Sequence, residues 1–483
     1  MTLNIRDLDA SSIVLGIKNK DFSCVDVVSA YIQRIKDNSD LNAYITVCFD
    51  QALEKAKKYD QQLANDSCSV GPLFGLPVAV KDVICTKGIK TTCASKMLSE
   101  YLPPYSATVV EAIESAGAIV IGKTNCDEFA MGSSNETSFF GPALNPWDIT
   151  RVPGGSSGGS AVAVAADLAP VSLGTDTGGS VRQPAGLCNL VGFKPSYGSI
   201  SRYGLIAMAS SLDQVGTFSH SVADAKLLFD VMSGPDGKDQ SVKDDVIQTS
   251  KPINEMTIGL PKEYFSLFFD EEIVSAINQA IEVYKSMGCK FVDVSIPLAD
   301  MALAMYYIIM PAEVSSNLAR LDGIRYGKQA TIGSSVADFM SKNRSLGFGD
   351  EVKRRILLGT YVLSSGYQEA FYGQATKVRR LLTEQYNKVC EQVDLLLVPT
   401  TPTCAFKIGE KINDPLTMYM ADIFTVSVNM IGYAGMSLPS GFNKENLPIG
   451  HQLIGPAGRE NMMFDLGEAF QNNTNWHKQQ SPC

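Results

Sequence analysis

The feature that most constrains this chain is a segment rich in glycine and serine. Ten of its forty glycines lie between positions 151 and 200, in two motifs at residues 154–160 (GGSSGGS) and 174–180 (GTDTGGS). Glycine has no Cβ atom, so such motifs suit turns that another group must approach closely. A flexible linker is the alternative, but the flanking apolar stretches predict helix and strand. Each motif therefore predicts an ordered turn that leads into a helix and presents free N–H groups to a ligand.

Between the two motifs, residues 161–168 predict a short helix with Ser160 as its N-cap and Pro170 beyond its end. Phosphate binding is a common use of glycine-rich turns before helices. Neither motif matches the phosphate-binding patterns GxxxxGK[ST] and GxGxxG, and no lysine follows the glycines. The sequence therefore favours serine chemistry over a phosphate site.

A catalytic serine needs a base that takes its proton, and histidine is the usual base. None of the histidines lies in a glycine-rich segment: they are His220, His451 and His477. Lys81 is the best alternative, because it follows a predicted buried strand at residues 78–80. An ordinary lysine pKa of about 10.4 would have to fall by about three units on burial for Lys81 to act as a neutral base. The competing interpretation is a surface lysine paired with Asp82.

Composition and charge limit the remaining possibilities. The net charge of −10 provides no basic surface for phosphates, which disfavours direct nucleic-acid binding by this chain alone. The first 20 residues fit neither a signal peptide nor a transit peptide. No apolar run reaches the roughly 18 residues that a membrane span needs. We therefore expect a cytoplasmic protein that does not contact the membrane.

The cysteines predict neither disulfides nor a zinc site. They stand at positions 24, 48, 68, 85, 93, 126, 188, 289, 390, 404 and 483, and no CxxC pair occurs among them. An odd number of cysteines without paired spacing is typical of reduced thiols, and no metal site is expected.

Helix and strand patterns alternate along the chain. Strand-like runs lie at residues 118–122, 256–260, 290–296, 395–398 and 449–454, and helical patterns at 107–116, 271–287, 300–320 and 351–390. This alternation predicts the α/β class, with a mixed central sheet covered by helices on both faces. Residues 1–70 are predicted to form an N-terminal helical layer. Residues 71–483 are predicted to form one large domain, with the Gly/Ser-rich core at 71–220.

Three segments resemble the amidase signature family: residues 79–82 (AVKD), 153–160 (PGGSSGGS) and 174–185 (GTDTGGSVRQPA). The resemblance extends over nearly the whole chain, and the two serine motifs are highly specific. It implies the amidase signature fold, with Ser180 as the nucleophile. It further implies that Ser156, behind a cis peptide, relays the proton from Ser180 to Lys81.

The same resemblance assigns roles to the backbone of the second motif. Its N–H groups would form the oxyanion hole, which stabilises the charge that develops on the attacked carbonyl. These groups belong to Thr177, Gly178, Gly179 and Ser180. Asp176 and Arg182 would brace the loop without reacting.

Three segments of the C-terminal half, residues 321–327, 347–367 and 418–423, are similar to one branch of the family. Members of that branch are glutaminases that supply ammonia within tRNA-dependent amidotransferases. By this resemblance, Arg355 would bind the α-carboxylate of glutamine and Asp422 its α-ammonium. The pocket would be shaped by Met131, Gly132, Ser133 and Tyr306. Without the resemblance, Arg355 would be an ordinary surface arginine and Asp422 an ordinary N-cap.

The resemblance also implies partners. In this branch, the B subunit uses ATP and Mg²⁺ to activate glutamyl-tRNA(Gln) and makes most tRNA contacts, and the small C subunit ties the complex together. This chain has no recognisable ATP motif, so no cofactor is expected in it. Two alternatives stay open: a stand-alone amidase for another small carboxamide, and a non-catalytic assembly protein. The intact Lys81, Ser156 and Ser180 argue against the second.

Overall fold

This computed structural model describes residues 5–65, 70–244, 246–266, 270–329 and 331–483. The strands within these ranges are β1 (Tyr44–Val47), β2 (Pro77–Lys81), β3 (Ile119–Thr124), β4 (Val171–Asp176), β5 (Val191–Lys194), β6 (Gln214–Ser219), β7 (Thr257–Pro261), β8 (Lys290–Val294), β9 (Leu395–Pro399), β10 (Ala434–Phe442) and β11 (Pro448–Gly455). They form one sheet in the order β1-β3-β2-β4-β6-β5-β10-β11-β9-β7-β8.

The sheet is mixed. β2 lies parallel to β3 and β4, and β7 lies parallel to β8 and β9; the other pairs are antiparallel. Every residue of β2, β3, β4 and β6 is buried, as expected for strands covered on both faces. The predicted α/β class with a mixed central sheet is confirmed.

Helices pack around this sheet. In the described ranges they are α1 (Ala10–Asn19), α2 (Cys24–Asp37), α3 (Phe49–Ala64), α4 (Thr108–Ser115), α5 (Gly158–Ala165), α6 (Arg182–Leu187), α7 (Val222–Met232), α8 (Lys262–Ser266), α9 (Glu271–Ser286), α10 (Ala302–Asn317), α11 (Val336–Gly347), α12 (Asp350–Val362), α13 (Gln374–Cys390), α14 (Pro415–Tyr419), α15 (Val426–Ile431) and α16 (Glu460–Asn472). One main cluster of buried apolar side chains joins the two ends of the chain, from Ile5 to Phe470. None of these helices combines the length and the apolar character of a membrane span.

The N-terminal 70 residues contribute helices α1 to α3 and also one strand. β1 lies at the edge of the sheet and pairs with β3, which the predicted helical layer did not include. α2 begins at a capping box formed by Ser23 and Asp26, which satisfies two backbone donors that the helix leaves free. The division at residue 70 stays a prediction, and residues 1–4 and 66–69 lie outside the described residues. Cys68 is among them; the ten described cysteines are free thiols.

The predicted start of the helix between the two Gly/Ser motifs is wrong by three residues. α5 begins at Gly158 with Ser157 as its N-cap, so Ser160 lies inside the helix. A Cβ on Gly158 would lie 2.4 Å from Asn135 Oδ1, and one on Gly159 would lie 2.5 Å from the Asn125 nitrogen. These two glycines therefore allow the first turn of α5 to pack closely against its neighbours. The sequence pattern does not distinguish glycines with this role from glycines in a loop.

Helices α10 and α12 bring one wall of the candidate pocket together. The helical pattern predicted at 300–320 is confirmed, and α10 runs through Pro311 to Asn317. Gly359 of α12 packs against this point, where a Cβ would lie 1.8 Å from the Pro311 carbonyl oxygen. The predicted helical pattern at 351–390 is divided into α12 and α13. The close helix contact places Arg355 of α12 beside the tyrosines of α10.

Candidate active site

Lys81 is the last residue of β2, and its side chain is completely buried. Its Nζ lies 2.8 Å from Ser156 Oγ, 2.8 Å from Ser157 Oγ and 2.9 Å from Thr175 Oγ1. The interpretation of Lys81 as a surface residue paired with Asp82 is wrong. Asp82 forms an ion pair with the buried Lys123 at 3.4 Å and accepts a hydrogen bond from the Thr92 N–H.

Burial changes the acid strength of Lys81. Because the charged form loses its hydration inside the protein, the pKa of Lys81 falls to about 8. With this pKa, about a tenth of the molecules would carry a neutral amine at pH 7. Lys81 can therefore accept a proton close to neutral pH, as the sequence analysis expects.

The hydroxyl groups around Lys81 are not equivalent. The Ser157 hydroxyl donates to the Thr175 carbonyl at 3.1 Å and accepts from the Thr175 N–H at 3.3 Å. Its single proton is used in this way, so Ser157 can only accept from Lys81. Within the described residues, Ser156 Oγ has Lys81 as its hydrogen-bond partner. The Ser156 hydroxyl is therefore free to direct its proton at the lone pair of a neutral Lys81 amine.

The backbone at Ser156 is held by three hydrogen bonds. The peptide bond between Gly155 and Ser156 is cis, which agrees with the expectation from the family. The Asp127 N–H donates to the Ser156 carbonyl at 3.1 Å, and the Gly155 N–H donates to Gln183 Oε1 at 3.0 Å. The Ser157 N–H donates to the Ser180 carbonyl at 3.2 Å. This last bond brings the two Gly/Ser motifs together at the end of β2.

Ser180 is half-buried, whereas its neighbours in the motif are buried. The turn that carries it depends on glycine at two positions. A Cβ on Gly178 would lie 2.6 Å from the Tyr306 ring, and Gly179 has a φ of +134° with Thr425 Oγ1 2.1 Å from the Cβ position. Neither position can accept a larger residue without moving the turn.

One predicted oxyanion-hole donor is already engaged. The Gly179 N–H donates to Asp176 Oδ1 at 2.9 Å, so this donor already has an acceptor within the protein. Within the described residues, no group accepts a hydrogen bond from the remaining three N–H groups, those of Thr177, Gly178 and Ser180. These three donors belong to the turn that carries Ser180, and they remain available to a ligand.

Asp176 and Arg182 brace the turn, as expected. The guanidinium donates to both carboxylate oxygens, at 3.1 and 3.0 Å. Burial alone would raise the pKa of Asp176, but the adjacent Arg182 charge holds it below its usual range. Arg182 also donates to Gln452 at 3.0 Å and to Asn429 at 2.6 Å. Within the described residues, no hydrogen bond of this pair goes to the Lys81 side chain.

Residues 131–133 form a turn that is tied to the serine motifs. Met131 is fully buried. Gln183 donates to the Ser133 carbonyl at 3.0 Å while it accepts from the Gly155 N–H. One side chain thus joins the predicted pocket turn to the cis peptide.

Arg355 and Asp422 both lie buried beside this turn. Arg355 Nη2 donates to the Gly132 carbonyl at 2.5 Å, and the Ser133 hydroxyl donates to Asp422 Oδ2. Burial raises the pKa of Asp422 to about 7. The interpretation of Arg355 as a surface arginine is wrong, because the residue is buried. Asp422 is not an N-cap, because it ends a short 3-10 helix and Thr425 is the N-cap of α15.

A cavity of about 440 Å³ opens outside this turn. Its lining includes Gly132, Ser133, Glu351 and Tyr419. In the described residues, no group of three or more His, Cys, Asp or Glu side chains could hold a metal ion. The arrangement offers a buried amine with a lowered pKa, two serines and free N–H donors, together with one buried cation and one buried carboxyl group.

The sequence analysis did not identify several residues that support the site. Ser157 and Thr175 hold the Lys81 amine, and Asp127 accepts from the Asn135 N–H at 2.8 Å at the base of the 127–137 turn. Glu351 binds Arg355. Only Glu351 has a local signal, since it precedes Arg355 by one helical turn. The others depend on contacts between segments that are distant in sequence.

Comparisons with known proteins agree with this geometry. A family model described as Amidase matches residues 26–464. The A subunit of glutamyl-tRNA(Gln) amidotransferase from Nitrosomonas europaea is 49% identical over 474 residues, with 97% of each chain covered. The protein of the same name from Carboxydothermus hydrogenoformans is 51% identical over 477 residues, with 98% of each chain covered.

A solved structure supports the same relationship. The A subunit of glutamyl-tRNA(Gln) amidotransferase from Thermotoga maritima superposes with a TM-score of 0.81 at 39% identity, covering 98% of this chain and 96% of that chain. The expected amidase signature fold is thereby confirmed. Because the family model spans most of its length and these relatives match it almost from end to end, the chain belongs to the amidase family.

Proposed function

We propose that this chain is the A subunit of a glutamyl-tRNA(Gln) amidotransferase, which hydrolyses glutamine and supplies the ammonia to a partner protein. The observation that carries this proposal is the pairing of a buried Lys81 amine with Ser156, together with the buried Arg355 and Asp422 that are bonded to the 132–133 turn. The relatives described above carry this name, and they match the chain over nearly their whole length. Their names support the choice of glutamine over other amides.

The proposed reaction begins when Ser180 Oγ attacks the side-chain carbonyl carbon of glutamine. The Ser180 proton passes to Ser156, and the Ser156 proton passes to the neutral Lys81 amine. The N–H groups of Thr177, Gly178 and Ser180 stabilise the oxygen as it gains negative charge. The C–N bond then breaks, and the relay returns a proton to the nitrogen so that ammonia leaves. Water hydrolyses the resulting ester and releases glutamate and free Ser180.

Arg355 and Asp422 would bind the charged ends of the substrate. Within the described residues, no group accepts from Arg355 Nη1, so this edge is available to the α-carboxylate. Asp422 would bind the α-ammonium group. A ligand with both charges matches a pocket with one buried cation and one buried acid better than a neutral amide does.

Replacing Arg355 or Asp422 with alanine tests the substrate. Each change should lower kcat/KM for glutamine by about 100-fold, mainly through a higher KM, because a buried charge loses its partner. Steady-state ammonia release measures the effect. The matched control is Arg380→Ala, which removes an arginine that is 81% exposed. Unchanged glutamine turnover in both pocket variants would favour the alternative of a stand-alone amidase for another carboxamide.

The acylation rate should depend on pH through Lys81. The pKa of this amine is lowered to about 8, and only the neutral form can accept the proton. The rate should therefore rise with pH and reach half of its maximum near pH 8. Single-turnover measurements between about pH 6 and 10 test this relation. An acylation rate that stays constant across this range would contradict the assignment of Lys81 as the base.

The partners follow from the same proposal. The B subunit would use ATP and Mg²⁺ to activate glutamyl-tRNA(Gln) and make most of the tRNA contacts, and the C subunit would join the two larger proteins. This chain would need no cofactor of its own and would act in the cytoplasm. Affinity purification of the tagged chain from its own cells should recover both partners in fixed proportion. Recovery of the chain alone as an active amidase would contradict the proposed assembly.

A further inference from the structure

Glu351 contacts three side chains at the edge of the candidate pocket. It lies one helical turn before Arg355 on α12. Its Oε1 accepts hydrogen bonds from Arg355 Nε at 2.7 Å and from the Tyr419 hydroxyl at 2.8 Å. Its Oε2 accepts from Arg354. The Glu351 side chain is 13% exposed, so these contacts form largely away from water, where charge-assisted hydrogen bonds are strong.

These contacts determine which donors of Arg355 remain free. A guanidinium group has five N–H donors in a rigid planar fork. Glu351 takes the Nε donor, and the Gly132 carbonyl takes one Nη2 donor. In the part of the chain that the structure describes, the Nη1 donors have no acceptor. The unoccupied edge, made of Nη1 and the second Nη2 donor, has the geometry that binds a carboxylate through two parallel hydrogen bonds.

The aromatic neighbours of Arg355 do not determine this orientation by themselves. The Tyr307 and Tyr419 rings stack with centroids 3.9 Å apart. The guanidinium carbon lies 5.6 and 5.5 Å from the two centroids. Such contacts attract the cation to the ring faces without selecting which edge of the guanidinium stays free. The hydrogen bonds to Glu351 and Gly132 make that selection.

We propose that Glu351 is a positioning residue for substrate recognition. It holds the Nε side of Arg355 and thereby directs the Nη1 edge at the α-carboxylate of glutamine. This inference rests on the proposed glutaminase function. The role needs an acceptor at Oε1 and not a negative charge, because a glutamine oxygen at the same place can accept both hydrogen bonds.

The test compares Glu351→Ala with Glu351→Gln in the full chain, purified with any partner proteins that accompany it. Glu351→Ala should raise KM for glutamine about tenfold, and kcat should change by less than about threefold, since Arg355 does not touch the reacting atoms. Glu351→Gln should keep KM within about threefold of the unmodified protein. Butanamide, which has no α-carboxylate, should be hydrolysed with the same kcat/KM by the unmodified protein and by Glu351→Ala.

The control variant is Asp350→Ala, which removes the neighbouring carboxylate. Asp350 is 93% exposed and pairs with Lys353 at 3.4 Å, so its loss should leave both kinetic constants unchanged. Thermal unfolding of each variant checks that the fold is intact. The inference is overturned if Glu351→Ala leaves KM for glutamine unchanged, or if alanine and glutamine at position 351 raise it equally.

The result also separates this inference from the proposed function. If the unmodified protein hydrolyses butanamide and not glutamine, the proposed substrate is wrong and the inference falls with it. If the unmodified protein hydrolyses glutamine and only the Glu351 variants behave against expectation, the proposed function stands and the positioning role of Glu351 is refuted.

Discussion

Replacing Lys81 with alanine is expected to lower the acylation rate by at least about 1,000-fold. The amine is the proposed acceptor of the proton that leaves Ser156. In the described part of the chain, no histidine is among the hydrogen-bond partners of Ser156, Ser157 or Thr175. Without the amine, a neutral serine would have to attack the amide while it keeps its proton. The rates should be compared by single-turnover ammonia release at about pH 9, where most of the native amine is neutral and the rates of the native protein and the variant differ most.

Two further variants show that the loss comes from the base. Lys81→Met keeps most of the buried volume and should be as inactive as Lys81→Ala, with a higher thermal stability than the alanine variant because it leaves a smaller cavity. Lys90→Ala removes a lysine that is 48% exposed and paired with Glu100, and it should retain full activity. Acylation within about tenfold of the native rate in a folded Lys81 variant would refute the relay.

Replacing Ser180 with alanine should abolish the covalent intermediate. The variant cannot form the ester, so turnover should fall by about 10,000-fold or more. Mass spectrometry after incubation with a reactive glutamine analogue should find one added acyl group on the native chain and none on Ser180→Ala. The half-buried position of Ser180 leaves it open to such a reagent.

Ser156→Ala is the informative comparison for this experiment. It removes the proposed relay but keeps the nucleophile, so it should acylate slowly with the reactive analogue and show negligible turnover of glutamine. Arg355 and Asp422 are retained in both variants, and therefore substrate binding should persist. An acyl group found on another residue of Ser180→Ala would show that the nucleophile has been assigned incorrectly.

The sequence predicted the presence of helices and strands better than the residues at which they begin and end. Strands β2, β3, β7, β8, β9 and β11 coincide with predicted strand-like runs, because such runs depend on neighbouring positions. Strands β1, β4, β5, β6 and β10 were not among the predicted runs. The start of α5 was misplaced because Gly158 and Gly159 are required by contacts with Asn135 and Asn125. These contacts join residues that are distant in the sequence, so a short segment does not reveal them.

The sequence likewise predicted only part of the candidate site. Lys81, Ser156 and Ser180 could be named from three short segments, since each carries its chemistry within a few contiguous residues. The engagement of the Gly179 N–H by Asp176 depends on the path of the turn. The environment of Arg355 depends on Gly132, 223 residues away in the chain. No sequence pattern encodes either contact.

The order of amino acids was enough to establish the α/β class, the two Gly/Ser motifs, the scarcity of histidine and hence the need for a lysine base. These features are local or compositional, so they can be read without knowing which segments meet. The three-dimensional arrangement was needed to show that Lys81 is buried among three hydroxyl groups, which N–H groups remain free, and which donors of Arg355 are already occupied. Burial and hydrogen-bond partners arise when distant segments pack together, and they set both the pKa of an amine and the direction in which a guanidinium group can bind.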